Sequence, residues 1–102
     1  MTNLDVVNNE AEQQYEAVVE GALAVAQYTR RGDEILFHHT EVPLVLRNRG
    51  VGSALVRAAL DDARARGLKV RSTCWFVSAY LRSHPEYQPL LAPGSQTSPT
   101  QA

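Results

Sequence analysis

The sequence predicts a single α/β domain in which an antiparallel meander of strands precedes a strand–helix–strand crossover and a second short helix. Three observations support this prediction. Short apolar segments separated by tight turns fill roughly the first forty residues. Apolar positions recur at helical spacing between Val51 and Ala63, and a glycine-rich segment, residues 47–54, joins the two regions. A chain of 102 residues is long enough for one modest core, so a single domain is expected.

The strands are assigned from alternation and from turn residues. Three or four are expected, at residues 4–7, 13–19, 22–28 and from Ile35 onward. Glu20-Gly21 and residues 30–33 supply the turns between them. In the last strand, strict alternation places positions 35, 37, 39 and 41 on one face and positions 36, 38, 40 and 42 on the other. Pro43 ends this strand because it has no N–H to donate.

Two helices follow from the second half of the chain. The first has an apolar face made of Leu55, Val56, Ala59, Leu60 and Ala63. Gly67 is expected to end this helix, and a short strand at residues 68–71 follows it. A right-handed crossover makes that strand parallel to the one before the glycine-rich segment. Ser72 or Thr73 is expected to cap a second helix at residues 74–83, which Pro85 cannot continue.

Composition excludes several classes of function. A net charge of −1 and a pI near 6.3 provide no general attraction to nucleic acid or to an anionic membrane. The single cysteine cannot form an internal disulfide, and with three scattered histidines it makes no metal-binding spacing. With neither a signal peptide nor a long apolar run, the chain is expected to be soluble and cytoplasmic. Residues 1–91 are expected to form the domain, and residues 92–102, which lack core-forming side chains, a disordered tail.

The glycine-rich segment has the sequence RNRGVGSA at residues 47–54. Two glycines spaced by one residue, at a strand-to-helix junction, let the backbone approach a bulky anion closely. The first N–H groups of the following helix would point into the loop, where two arginines add positive charge. The segment lacks the Gly-Lys-Ser/Thr of a Walker loop and the third glycine of a dinucleotide fingerprint. It therefore predicts a phosphate or pyrophosphate site, with a simple glycine-rich turn as the alternative.

Four ordered segments extend this pattern: HTEVP at residues 39–43, GVGSALV at 50–56, AR..GLKV at 63–70 and HPEY at 84–87. Together they resemble the small single-domain GNAT-like N-acetyltransferases, and the resemblance covers roughly residues 5–91. It implies a GNAT-like acyl-CoA N-acyltransferase fold, acetyl-CoA as co-substrate, an amine as acceptor and no metal. Relatives often carry prolines around the cysteine, whereas this chain has Ser72-Thr73-Cys74-Trp75, which leaves open how the second helix begins.

The resemblance also implies a path for the cofactor. The pantetheine arm would run beside residues 38–42, in a gap where this strand splays from residues 69–71. The pyrophosphate would take N–H groups from residues 49–54, with charge from Arg47 or Arg49. The residues expected to bind the cofactor are Glu41, Val42, Arg47, Asn48, Arg49, Gly50, Val51, Gly52, Ser53, Ala54 and Cys74.

Four side chains are candidates for catalysis. Glu41 is placed to remove a proton from the acceptor amine, or is an ordinary strand carboxylate paired with an arginine. His39 offers an imidazole for proton transfer, or is simply packed. Cys74, at a helix start, is a nucleophile, a proton donor to the departing CoA sulfur, or a small packing residue. Tyr80 offers a second proton donor or a core aromatic ring.

Two rival functions are consistent with the same residues. One is a CoA-binding module with little or no transfer activity, which the short chain favours because it offers few elements to recognise an acceptor. The other is a small interaction protein with no nucleotide site. We expect a monomer or a weak homodimer. The sequence does not identify the acceptor.

Overall fold

The computed structural model describes residues 4–94, which form one five-stranded sheet, two α-helices and two 3₁₀ segments. The strands are β1 Val6–Asn9, β2 Gln14–Val19, β3 Ala22–Arg31, β4 Glu34–Glu41 and β5 Lys69–Ser72. Helix α1 is Val51–Ala65 and helix α2 is Trp75–Ser83, and the 3₁₀ segments are Leu44–Leu46 and Pro85–Leu90. The sequence predicted a meander of three or four strands, a crossover strand and two helices in this order. The structure confirms this order with four strands in the meander, and element ends are displaced by up to three residues.

Strand order in the sheet follows chain order, β1-β2-β3-β4-β5. The first four strands are antiparallel, and β5 is parallel to β4 after the α1 crossover. This mixed arrangement confirms the predicted meander and crossover. The pairing of β4 with β5 covers only the first half of β4, from Glu34↔Lys69 to Phe37↔Ser72. The second half of β4 therefore has no partner in β5.

A β-bulge interrupts β4 at His38. Tyr28 of β3 pairs with Phe37, but the preceding residue of β3, Gln27, pairs with His39. His38 is therefore an extra residue without an opposite partner, as in a bulge that inserts one residue into one strand. Strict alternation along this strand, which the sequence suggested, is wrong beyond Phe37.

The bulge exchanges the two faces of β4 for every later residue. Thr40 pairs with the fully buried Ala26 and so lies on the core side of the sheet with Ile35. His39 and Glu41 lie on the opposite, exposed side. A one-residue shift has this effect because side chains alternate with a period of two.

One contiguous core fills the space between the helices and one face of the sheet. Its aromatic part is Tyr15, Tyr28 and Phe37, whose ring centroids lie 5.4–6.2 Å apart. The Tyr15 hydroxyl donates to Asp62 of α1 at 2.6 Å, which ties the sheet to the helix. Full burial of a leucine such as Leu60 contributes about 1.5–3 kcal/mol. Burial of the many apolar side chains in this core is therefore a large contribution to stability.

Helix α1 ends as predicted. Gly67 adopts a left-handed conformation with φ 71°. Its N–H donates to the Arg64 carbonyl at 3.1 Å, and the next N–H, of Leu68, donates to the Ala63 carbonyl at 2.9 Å. These two bonds form a Schellman motif, which satisfies carbonyls that the helix end leaves unpaired.

Helix α2 begins differently from the prediction. Its N-cap residue is Cys74, and no side chain caps the helix, so neither Ser72 nor Thr73 acts as the cap. The reason is that β5 continues through Ser72, while the Thr73 N–H donates to the Phe37 carbonyl at 2.9 Å. The Ser72 hydroxyl instead accepts from the Cys74 N–H at 3.2 Å.

The chain stays packed for one residue beyond position 91, where the domain is expected to end. Leu91 forms a parallel bridge with Val70, and the Ala92 N–H donates to the Val70 carbonyl at 2.9 Å. Ala92 is buried, with 3% of its surface exposed, so it belongs to the packed domain. Residues 95–102, where a disordered tail is predicted, lie outside the described part of the chain.

Candidate active site

The two parallel strands separate at the point where β5 ends. The Thr73 N–H···Phe37 O bond is followed by the turn into α2, whereas β4 continues for four more residues to Glu41. The end of β4 and the start of α2 therefore border a gap with unpaired strand backbone on one side. Strand pairing stops at Phe37, within the region where the sequence analysis expected the two strands to separate, and the path of a pantetheine arm along β4 stays a prediction.

Cys74 and Thr40 meet inside this gap. The Cys74 Sγ lies 3.3 Å from the Thr40 Oγ1, and either atom can be the donor. Cys74 is 7% exposed, so its thiol is enclosed by the β4 end and α2. Thr40 was missed by sequence reasoning, because without the bulge it would face away from the helices. Nothing in the local sequence HHTE marks that bulge.

The polar groups behind Cys74 are all satisfied within the fold. The Ser72 hydroxyl lies 2.8 Å from that of the buried Ser78, and 3.1 Å from the Cys74 carbonyl oxygen. Together with the Cys74 N–H bond, these contacts fix the first turn of α2 against β5. The orientation of the cysteine is thus set by two elements, the helix and the strand end.

His39 and Glu41 form a pair on the other face of the sheet. The His39 Nε2 and Glu41 Oε1 atoms lie 3.6 Å apart, and the two side chains are 52% and 70% exposed. They share a face, as expected, and the partner of Glu41 is this histidine rather than an arginine. Their side chains lie on the opposite face of β4 from Thr40. All three residues belong to the half of β4 that pairs with β3 but not with β5.

The glycine-rich loop leads into helix α1, whose N-terminus has no side-chain cap. Asn48 and Gly50 both have left-handed backbones, with φ 62° and 77°. Gly50 is the N-cap of α1 and provides no side-chain bond, and the first turn contains no acidic residue. The first helical bond is Ala54 N–H···Gly50 O at 3.0 Å, so the N–H groups of residues 51–53 precede the helical ladder. Such a helix start attracts anions.

The two positions of the loop require glycine for different structural reasons. A Cβ on Gly52 would lie 3.0 Å from the Phe76 ring and 3.4 Å from Val42, so this glycine allows α2 to pack against α1. A Cβ on Gly50 would meet nothing within 4 Å, so this glycine is required by its positive φ. Of these two glycines, Gly50 is the one with open space in front of it, where a ligand can approach.

The loop arginines already have partners. Arg47 donates from Nε to the Val42 carbonyl at 3.1 Å, which braces the loop against the end of β4. Arg49 donates to both carboxylate oxygens of Glu20, at 2.6 and 3.1 Å. The sequence analysis named both arginines as sources of charge for the phosphate, and of the two only Arg49 lines the cleft described next.

A cleft of about 820 Å³ opens beside the loop and is lined by α1, by Leu4 and Val19, and by Tyr80 and His84. Among its lining residues are Arg49, Gly50, Ser53, Arg57, Tyr80 and His84. Cys74 is not in this lining, so the cleft and the Cys74 gap are separate. Arg57 was not a sequence candidate; its spacing, two turns after Gly50 on α1, is the pattern that identifies it.

Tyr80 lies in the cleft rather than at the gap. Its ring stacks on that of His84, with centroids 3.8 Å apart and planes inclined by 11°. Burial raises the pKa of Tyr80 above its usual value, and the nearby charge of Arg57 partly opposes this shift. Tyr87 packs beside it, where burial and a hydrogen bond to Asp61 raise its pKa to about 12. Both tyrosines are therefore protonated near neutrality.

Residues 4–94 also bear on metal binding and on membrane insertion. This part of the chain holds no group of three His, Cys, Asp or Glu side chains that would suit a metal ion. None of its helices has the length and apolar character needed to cross a bilayer.

Comparison with known proteins identifies the family. Residues 14–90 match the family of GCN5-related N-acetyl-transferases. An NMR structure of a GCN5-like candidate N-acetyltransferase from Staphylococcus aureus is similar, with a TM-score of 0.68 and 29% identity over 90% of this chain and 91% of that one. The chain belongs to the GCN5-related N-acetyltransferase family, and the predicted GNAT-like fold and enzyme class are confirmed.

Curated relatives are similar over part of their length. The protein NATD1 of Gallus gallus and of Mus musculus is 40% identical over 63 residues, which are 61% of this chain and 57% of each relative. NATD1 of Danio rerio is 31% identical over 91 residues, or 84% of this chain and 83% of the relative. The chain thus spans a little over half of the chicken and mouse proteins. The roles of individual site residues stay predictions.

Proposed function

We propose that this protein binds acetyl-CoA and transfers its acetyl group to an amine. The observation that carries the proposal is the start of α1: three N–H groups precede the helical ladder, no acidic residue lies in the first turn, and an 820 Å³ cleft with Arg49 and Arg57 opens beside it. A helix start of this kind suits a pyrophosphate. Family membership supports acetyl-CoA as the ligand, because acetyl-CoA is the acyl donor typical of GCN5-related enzymes.

The proposal assigns the pyrophosphate and the pantetheine arm of the cofactor to two different surfaces. The pyrophosphate would accept hydrogen bonds from the N–H groups of residues 51–53. The pantetheine arm would follow the half of β4 that β5 leaves unpaired, where strand backbone is available for hydrogen bonds. Arg49 and Arg57 would supply positive charge, while Arg47 would hold the loop through its bond to Val42. The thioester would then lie near Thr40 and Cys74.

The reaction needs three proton and charge movements, which these residues divide among them. The neutral amine attacks the thioester carbonyl, a C–N bond forms, and the C–S bond breaks with its electron pair on sulfur. The amine proton leaves to Glu41, directly or through His39 or water, on the exposed side of the gap. The departing thiolate takes a proton from the Cys74 thiol, which Thr40 orients. We place Tyr80 with the cofactor in the cleft rather than in proton transfer.

The test is a calorimetric titration with acetyl-CoA, followed by an assay of free CoA thiol released in the presence of a panel of amines. Binding with turnover is expected. Binding without turnover on any amine would favour the CoA-binding module, and no binding would reject the nucleotide site and favour an interaction protein.

A charge placed at the start of α1 sharpens this test. In Ser53→Asp a carboxylate would occupy the first turn, which stabilises a helix N-terminus by about 0.3–1 kcal/mol but repels a phosphate. We expect unchanged or higher stability together with a loss of acetyl-CoA binding. Thr29→Asp, which adds the same charge at an exposed position on β3, is the matched control and should bind like the parent.

A further inference from the structure

The turn between β2 and β3 contains an unfavourable residue. Val19 pairs with Ala22, so Glu20 and Gly21 form a two-residue turn, with φ 52° and 80°. Turns with two left-handed residues favour asparagine, aspartate or glycine, whereas the longer glutamate side chain gains nothing locally. A disfavoured residue held in this conformation suggests a role for its side chain elsewhere.

The side chain of Glu20 reaches the glycine-rich loop. Its two oxygens accept from Arg49 at 2.6 and 3.1 Å, a bidentate pair between residues 29 positions apart. The hydrogen bonds from Arg49 hold the pKa of the Glu20 carboxyl below its usual range. The pair is exposed, with 43% of the Arg49 side chain and 66% of the Glu20 side chain open to solvent, so water and salt weaken it.

Arg49 is also the loop arginine that lines the cleft. Both of its terminal nitrogens donate to Glu20, and these are the nitrogens that a phosphate would engage from the cleft. The Glu20 carboxylate therefore satisfies the guanidinium in the way an anionic ligand would. Because the ion pair is exposed, a ligand with higher charge can replace it at little cost.

We propose that Glu20 is a specificity-determining residue of the anion site, a built-in carboxylate that competes with the ligand's phosphate for Arg49. This inference rests on the proposed function. An anion with a single negative charge would replace one carboxylate contact to Arg49 by another of equal charge, so its binding would gain little free energy. A pyrophosphate carries more charge and also takes the N–H groups at the start of α1, so it displaces Glu20. The competition would thus exclude simple carboxylates and chloride from the loop.

A double-mutant cycle tests the competition. Affinities for acetyl-CoA and for inorganic pyrophosphate are measured by calorimetry on the parent, Glu20→Gln, Arg49→Met and the double variant. Glutamine retains the shape of the side chain, so the strained turn is unchanged. We expect Glu20→Gln to bind both ligands about two- to fivefold tighter, in line with the strength of exposed ion pairs. In the Arg49→Met background the same change should have no effect.

Each other outcome overturns the inference. Unchanged or weaker binding by Glu20→Gln would show that Glu20 does not compete, and weaker binding would indicate that it positions Arg49. Tighter binding that persists in the Arg49→Met background would reflect only the general field of one removed charge. If the parent binds neither ligand, the proposed function itself fails, whereas a flat cycle on a parent that binds acetyl-CoA rejects only the role of Glu20.

A second measurement reports on the ion pair directly. The Glu20 carboxyl is titrated by ¹³C NMR in the free protein and in the protein saturated with pyrophosphate. Its pKa should be low in the free protein and rise toward the ordinary value when the ligand takes Arg49. A pKa that stays low in the saturated protein would mean that the ion pair survives binding, which contradicts competition.

Discussion

Thr40 Oγ1 and Cys74 Sγ lie 3.3 Å apart, which connects the half of β4 that extends beyond β5 to the N-cap of α2. The contact depends on the bulge at His38, since regular alternation would turn Thr40 to the opposite face. It gives the thiol a fixed orientation inside the gap where the thioester is proposed to lie. The first two predictions follow from it.

Replacement of Cys74 by alanine separates three roles for the thiol. We expect a partial loss of turnover, on the order of 10²-fold, because a proton donor is removed while direct attack by the amine remains possible. Stability should fall only slightly, since the cavity left by the sulfur is small. Steady-state kinetics with an accepted amine measure the loss, and thermal unfolding checks the fold.

The covalent and packing roles give different results with the same variant. A nucleophilic cysteine predicts essentially complete loss, together with an acetyl adduct in the intact mass of the parent after acetyl-CoA alone. A packing role predicts near-normal turnover. A kinetically competent adduct on Cys74 would replace direct transfer by the covalent route.

Thr40 is tested by removing only its hydroxyl. Thr40→Val keeps the shape of the side chain, and we expect a roughly three- to tenfold lower kcat, the range that a single lost hydrogen bond accounts for. The KM for acetyl-CoA should not change, because the loop and cleft are untouched. Thr40→Ser restores a hydroxyl and should recover most of the rate; if serine fails to rescue, Thr40 acts through packing alone.

Gly50→Val should abolish acetyl-CoA binding while the domain stays folded. A side chain at φ 77° costs about 1–2 kcal/mol, which a domain of ordinary stability tolerates, and it would project into the open space in front of the loop. Gly32→Val is the matched control, since Gly32 also has positive φ and open surroundings but lies in the β3–β4 turn. Calorimetry and thermal unfolding of both variants distinguish strain from a blocked site. Equal affinity in Gly50→Val and the parent would show that the loop is not the binding site.

The tail beyond Ala92 should be dispensable. A chain that ends after Ala92 keeps the hydrogen bond to Val70. Among the described residues, it loses the Pro93 carbonyl, which accepts from Arg71 at 3.2 Å. Melting temperature and acetyl-CoA affinity should barely change. A chain that ends after Leu90 also loses the bridge and the buried Ala92, and should be less stable by at least about 1 kcal/mol. A clear loss with the longer chain would mean that the tail contacts the domain.

Acid should destabilise the domain partly through Glu34. Hydrogen bonds from Arg71 lower the pKa of this carboxyl below its ordinary 4.5 in the folded protein. Since the folded value is the lower one, the ion pair contributes stability above about pH 4.5, and this contribution disappears as the pH falls through the folded pKa. Urea midpoints measured between pH 3 and 6 should therefore fall less steeply for Glu34→Gln than for the parent. Identical slopes would show that Glu34 is not coupled to folding.

Local patterns predicted most of the fold and the glycine-rich loop that forms the candidate site. The helical spacing of Leu55, Val56 and Ala59 and the glycine at position 67 placed α1 and its end, because these effects act within a few residues. The loop was recognised for the same reason. The family resemblance then supplied the path of the cofactor, which no local pattern contains.

The features that sequence reasoning missed depend on pairing across the chain. The bulge at His38 arises from how β4 docks on β3, so the position of Thr40 beside Cys74 was hidden. The partner of Arg49 lies 29 residues away in a turn, and a contact over that distance is set by tertiary structure alone. The sequence around Ala92 is typical of a linker, and its packing depends on the hydrogen bond from its N–H to the carbonyl of the distant Val70.

The bridge between Leu91 and Val70 also affects how copies of the protein meet in solution. A sheet has two edges with unpaired backbone groups, and either edge can recruit a strand from another molecule. Here the returning chain at Leu91 and Ala92 screens the outer edge of β5, while β1 at the other edge is only four residues long. A ladder that short provides few intermolecular hydrogen bonds. We therefore expect self-association through these two outer edges to be weak.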